Sequence, residues 1–124
     1  PLSSMSPTLV TDAQGRVVLA VGGAGGPRII SGTLQALLAV VDRGLSAAQA
    51  VAAPRLHHQW LPEKVFIEGS MPGGGRSTLA SEGFEMGDYD YAGVIQAVTF
   101  DPSSRVYGGG ADPRASGGVR VWQP

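Results

Sequence analysis

Cysteine is absent from the 124 residues, which excludes disulfides, thiolate nucleophiles and cysteine-held metals. Charge is scarce as well: Asp, Glu, Lys and Arg supply 15% of the chain, against a typical share of roughly 25%. Nine basic and ten acidic residues leave a net charge of −1, so there is no basic stripe for nucleic acid or an anionic membrane. No apolar run approaches the roughly 20 residues of a membrane span. The opening Pro-Leu-Ser-Ser-Met has neither the charged nor the apolar region of a signal peptide; a piece cut from a longer precursor would look the same. What is present is a hydrophobic content of 43%, which with so few charges excludes a disordered tail and suggests a surface that meets another chain. Nineteen glycines are about twice the usual share; they cluster without a three-residue period, so collagen is excluded and backbone-lined turns are expected. One domain spanning residues 1–124 is the expected organisation.

The apolar runs Thr8–Val10 and Arg16–Val21 flank Asp12-Ala-Gln-Gly15, which predicts a hairpin. The second run ends in Gly22-Gly23-Ala24-Gly25-Gly26, and a helix is predicted from Pro27 to Arg43. There Ile30, Leu34, Leu37, Leu38 and Val41 recur at helical spacing, with Pro27 suited to the first turn and Gly44 to the exit. Ser46-Ala-Ala-Gln49 is a capping box opening a short helix that Pro54 ends. Lys64–Glu68 reads as a strand, residues 69–75 as a loop and Ser77–Glu82 as a helical turn. Gly93–Phe100 and Arg105–Tyr107 form a second expected hairpin around Asp101-Pro-Ser-Ser104, and Val119–Trp122 a last short strand. Strands surrounding a helical stretch define an α+β class.

The strand, glycine cluster and helix start form the most informative unit. Unpaired N–H groups at a helix start suit an anion or a developing oxyanion, and each donor to a tetrahedral oxyanion contributes roughly 2.7–4 kcal/mol. The alternative is a tight strand-to-helix turn. Neither G-x-G-x-x-G with a ribose-binding acid nor a Lys-Ser or Lys-Thr P-loop ending is present. Ser3 and Ser4 are adjacent hydroxyls that a turn converges on one carboxylate, or ordinary turn serines. His57 and His58 lack a third histidine or any cysteine and read as structural. A Ser4, His58, Asp112 triad can be drawn, as it can in any chain this size. Asp112-Pro-Arg114 reads as a buried or loop-fixing ion pair in preference to a functional clamp. A free Pro1 amine is a usable base, as in tautomerases of the 4-oxalocrotonate class, although the glycine cluster has no place in that scheme.

Three ordered blocks, Pro1-Leu-Ser-Ser-Met-Ser-Pro-Thr8, Gly25-Gly26-Pro-Arg-Ile29 and Ala53-Pro-Arg-Leu-His-His-Gln-Trp-Leu-Pro62, resemble the C-terminal part of the small subunit of gamma-glutamyltransferase. The resemblance weakens after Pro62 and returns at Val106-Tyr-Gly and Ala111-Asp-Pro-Arg114. It implies part of an N-terminal-nucleophile hydrolase, a four-layer αββα sandwich of mostly antiparallel strands. It implies an autoprocessed precursor whose new N-terminal threonine attacks a gamma-glutamyl carbonyl, with its own amine as base. The acyl-enzyme is then resolved by water or an amino acid, as in glutathione hydrolysis. The resemblance puts Ser3 and Ser4 on the pair that binds the glutamyl α-carboxylate, and Gly25 and Gly26 on the oxyanion-hole pair.

No cofactor or metal is implied. The implied partners are the large-subunit segment of the precursor and a small gamma-glutamyl substrate such as glutathione, and the implied setting is periplasmic or extracellular. Exposed strand edges add an expectation of homo-association. No residue here inherits the nucleophile's role, since Thr8 and Thr11 lie outside its motif, and the chain alone is expected to be inactive. Pro27 replaces a usual Ser or Thr, residues 69–92 match poorly and the tail Gly118–Pro124 departs from the family ending. A related acylase of the same fold is one alternative, and a non-catalytic structural or interaction module is another.

Overall fold

A computed structural model of the chain describes residues 3–69 and 71–120. Pro1, with its proposed amine base, and residues 121–124, which include the end of the expected last strand, lie outside the described residues. The first hairpin forms as β1 (Thr8–Thr11) and β2 (Val17–Ala24), followed by α1 (Arg28–Val41) and α2 (Ala47–Ala52). The second forms as β6 (Val94–Asp101) and β7 (Val106–Gly110), and the four strands make one antiparallel sheet in the order β1-β2-β6-β7. Between the hairpins lie β3 (Leu56–His57), β4 (Val65–Glu68), α3 (Gly73–Ser81) and β5 (Met86–Tyr89), with the sheet order β3-β4-β5.

Alternation gives the large sheet two different faces. Leu19, Val21, Ile95 and Ala97 point toward the helices, where they form a buried core with Ala36, Ala47 and Val51. The cross-strand row Leu9, Ala20, Val98, Gly109 lies on the opposite face. Among the described residues no helix covers that face: Leu9 is 66% exposed and Val98 50%. Val119 of the tail packs there, its Cγ1 lying 2.5 Å from where a Cβ on Gly109 would sit.

Helix α1 forms as expected, but its large apolar face is turned outward. Ile30, Leu34, Leu38 and Val41 are exposed, whereas Ile29, Gly32, Thr33, Ala36 and Ala39 are buried. Small side chains bring the helix axis close to the sheet: a Cβ on Gly32 would lie 2.9 Å from Ile95 Cδ1. Periodicity identifies an apolar face but not its distance from the core, and here the small residues occupy the tighter interface.

Helix α2 carries the full capping box, with Gln49 N–H donating to the Ser46 hydroxyl and Ser46 N–H donating to Gln49 Oε1. Ser46→Ala is therefore expected to lower stability by about 1 kcal/mol. Urea unfolding checks this, and a change within about 0.2 kcal/mol removes the cap's assigned role.

Three corrections concern the middle segment. Strand β3 has two residues, too few for a periodic signal. Strand β5 pairs parallel to β4 across the α3 connection, and its Gly87 sits where a Cβ would lie 2.9 Å from both Lys64 Cδ and Phe66 Cδ1. Helix α3 starts at Gly73, inside the expected loop, and buries no residue. At the C-terminal end, Val119 and Arg120 are in no strand.

Candidate active site

β2 delivers the chain to a sharp turn before α1. Gly25 has φ 134° and Gly26 φ 62°, conformations that a side chain disfavours. A Cβ on Gly25 would lie 2.9 Å from Gly93 Cα, while a Cβ position on Gly26 meets nothing within 4 Å. One glycine is therefore packed against the protein and the next is open. Among the described residues, neither the Gly25 N–H nor the Gly26 N–H is hydrogen-bonded to an acceptor of the chain. Pro27 caps α1 without a side-chain hydrogen bond, and no acidic residue lies in the first turn. The positive end of the helix is thus left uncompensated beside two free amides.

The serine pair lies on the segment that precedes β1. Thr8 is opposite Val21, and the preceding segment stays alongside β2, with Pro7 Cα 3.6 Å from the Cβ position of Gly22. Strand pairing ends at Thr8, and residues 3–7 are in no strand. The Ser3 hydroxyl accepts from Met5 N–H at 3.1 Å, and Ser6 donates to the Ser4 carbonyl at 3.0 Å.

Beside the glycine turn is a buried ionic cluster. Arg55, Glu68 and Asp112 are 1%, 3% and 1% exposed. Arg55 Nη2 donates to Asp112 Oδ2 at 2.5 Å and to the Gly93 carbonyl at 2.9 Å. Arg114 bridges both acids, pairing with Glu68 and donating to Asp112 Oδ1 at 3.0 Å. Glu68 also accepts from the backbone N–H groups of Arg55 and Ala92, and Asp112 from that of Ile95 at 2.7 Å. Two cations and two anions balance, so burial leaves no net charge. The cluster grips Ala92, Gly93 and Ile95, and Gly93 is the residue against which Gly25 packs.

Burial alone would raise the Asp112 carboxyl, but N–H groups of Ile95 and Arg114 and the two guanidiniums outweigh it, and Asp112 titrates below the ordinary carboxylate range. Glu68 shifts down in the same way, burial being outweighed by Arg114 and the N–H groups of Ala92 and Arg55. Burial lowers the Arg55 guanidinium, which still stays charged. For Arg114, burial is outweighed by the two carboxylates and its value rises.

Depressed carboxylate values stabilise the folded state above the unfolded values, and that stabilisation is lost as pH falls through the folded ones. Stability should be level from neutrality to about pH 5 and fall below about pH 4. Urea midpoints across pH check this; equal midpoints at acid and neutral pH would contradict it.

A structural role was expected for both histidines, and His57 is placed in one. It is 2% exposed, and its Nδ1 is 2.7 Å from Ser31 Oγ and its Nε2 2.9 Å from Gln59 Oε1. His58 is exposed. The Ser4, His58, Asp112 triad does not assemble, because both Asp112 oxygens are engaged by arginines and backbone donors. Asp112 and Arg114 form the buried ion pair expected of them. Sequence reasoning left Arg55, Glu68 and Arg28 without roles. The signal for Arg55 was a lone cation in the uncharged run Ala53-Pro-Arg-Leu; Glu68, at the end of a strand, offered none.

The helix-backed antiparallel sheet, with an open opposite face and free amides at a strand-to-helix turn, has the α+β fold of N-terminal-nucleophile hydrolases. The family model "Gamma-glutamyltranspeptidase" matches residues 1–122, and the chain belongs to that family. It is 38% identical to the glutathione hydrolase proenzyme of Escherichia coli, over 93% of this chain and 20% of the relative. The glutathione hydrolase proenzyme of Pseudomonas aeruginosa is 37% identical, over 99% of this chain and 22% of the relative.

Among solved structures, the Helicobacter pylori gamma-glutamyltranspeptidase T380A mutant superposes with a TM-score of 0.86 at 39% identity, covering 93% of this chain and 63% of that one. A cephalosporin acylase from Bacillus halodurans superposes at 0.83 with 25% identity, covering 94% of this chain and 22% of that one. The chain thus spans about a fifth of the length of the curated relatives it matches. Among the described residues, no helix is long and apolar enough to cross a membrane.

Proposed function

We propose that this chain, as a single folded unit, supplies the oxyanion and carboxylate half of a gamma-glutamyl-transferring hydrolase active site. A threonine from polypeptide outside these residues attacks a gamma-glutamyl amide such as glutathione. The Gly25 and Gly26 N–H groups receive the oxyanion that forms, and Ser3 and Ser4 hold the α-carboxylate of the acyl group. Water or an amino acid then takes the acyl group from the enzyme. The observation that carries this reading is the pair of amides at a positive helix end that no acceptor engages among the described residues.

The open sheet face and the outward apolar face of α1 favour a larger assembly in which the large-subunit segment of the same precursor covers part of this chain. The edge strands β1 and β7 are where homo-association of the isolated chain would begin. The acylase reading differs only in the acyl group, and the superposition on a cephalosporin acylase is what favours testing it.

The test uses the full-length protein with gamma-glutamyl anilide and a dicarboxylic-acyl amide. Turnover of the gamma-glutamyl substrate is expected, with Ser3→Ala, Ser4→Ala together raising KM about ten- to a hundredfold. The 124-residue chain alone should release no product. An unchanged KM, or turnover by the chain alone, would overturn the proposal; preference for the dicarboxylic-acyl amide would transfer it to the acylase reading.

A further inference from the structure

Arg28, the first residue of α1, bends back over the turn it follows. Its Nε donates to the Gly25 carbonyl at 3.1 Å and its Nη1 to the Tyr91 carbonyl at 3.4 Å. The guanidinium carbon lies 5.4 Å from the Tyr89 ring centroid and 5.1 Å from that of Tyr91, within the range of cation–π attraction. Tyr89 is itself stacked on Phe66, with centroids 4.3 Å apart and planes at 9°. Two aromatic rings and two carbonyls therefore hold one cation. Both tyrosines come from the segment where the family resemblance is weakest.

We infer that Arg28 is a positioning residue that orients and polarises the Gly25–Gly26 peptide so that the Gly26 N–H is the stronger oxyanion donor. The inference rests on the oxyanion reading above. In a trans peptide the C=O and N–H point in opposite directions. Holding the Gly25 oxygen toward Arg28 therefore aims the Gly26 N–H away from it, on the residue whose Cβ position meets nothing within 4 Å. A cation on the carbonyl also withdraws electron density through the amide and strengthens the N–H of the same unit. The Gly25 N–H belongs to the preceding peptide, whose carbonyl is on Ala24, and receives no such help. The following peptide is fixed separately, by Ile29 N–H donating to the Gly26 carbonyl at 3.0 Å. The divergent segment thereby reaches the reaction centre through Tyr89, Tyr91 and Arg28.

The experiment compares Arg28→Met and Arg28→Lys in the full-length protein. The readouts are kcat, KM, and affinity for two probes: a gamma-glutamyl-like boronate, tetrahedral and anionic once bound, and free glutamate, whose gamma-carboxyl carbon is trigonal. Arg28→Met should lower kcat and boronate affinity together by about ten- to a hundredfold, with KM and glutamate affinity within about threefold. Arg28→Lys keeps the charge but not the planar stack and should fall between; it also serves if the methionine variant fails to fold. Unchanged kcat and boronate affinity, or equal losses for both probes, would overturn the inference. Gly25→Ala separates this from the parent reading. If Gly25→Ala loses turnover while Arg28→Met keeps it, only the role of Arg28 fails; if Gly25→Ala keeps full turnover, the oxyanion reading itself fails.

Discussion

Replacing Asp112 with alanine is expected to cost about 3–5 kcal/mol of folding stability, the range for removing one partner from a buried ion pair. The carboxylate joins the two guanidiniums, accepting from buried Arg55 at 2.5 Å and from half-buried Arg114 at 3.0 Å. Removing it leaves like charges facing each other where water cannot screen them, and Ile95 N–H loses its acceptor. Among the described residues the Arg55 Nε has no hydrogen-bond partner, so the cluster already holds one unsatisfied donor. Asp112→Asn keeps the volume and a carbonyl oxygen, and should lose less. Urea unfolding of the full-length protein, with the domain transition resolved, measures both. A loss below about 1 kcal/mol for the alanine variant would mean that the cluster is not the keystone of this segment.

Gly25→Ala carries the largest expected effect on catalysis. The new Cβ would lie 2.9 Å from Gly93 Cα, a backbone atom that cannot turn aside. Gly93 is itself fixed, its carbonyl held by Arg55 and its φ of 85° confined to glycine-favoured space. The substituted turn must therefore move away and take its amides with it. Loss of an oxyanion donor lowers kcat by about 10²–10³, and that is the expected size of the effect in the full-length protein. Gly26→Ala is the contrast, since a Cβ there meets open space and only the left-handed backbone strain of roughly 1–2 kcal/mol applies. It should lose much less turnover. Equal losses in both variants, or a loss explained by a collapsed melting temperature, would argue for a structural turn only.

Much of the fold was legible where the physical signal is local. The hairpins follow from β-branched runs broken by polar turns, and α2 from a capping box whose hydrogen bonds both form. The glycine cluster stood out by composition, and the turn needs glycine at Gly25 and Gly26, whose φ values are 134° and 62°. Elsewhere the deciding contacts are distant in sequence. Which face of α1 turns inward depends on how close Gly32 must come to Ile95, and periodicity among leucines is blind to that. Strand β5 contains a glycine and an aspartate, poor strand formers taken alone, and exists because Phe66 and Lys64 occupy the space beside Gly87. The ionic cluster joins residues 55, 68, 112 and 114, of which only the last two are neighbours, and only those two were paired by the sequence. Arg28 was visible as a residue but not as a clamp, because its tyrosines follow it by some sixty positions.

A crystal structure of the full-length protein with a boronate bound to its nucleophile tests the oxyanion assignment most directly. The tetrahedral adduct's oxygen should lie about 2.7–3.1 Å from both the Gly25 and Gly26 amide nitrogens, with the acyl carboxylate on Ser3 and Ser4. An adduct whose oxygen points elsewhere, leaving those two amides bonded only to water, would contradict it.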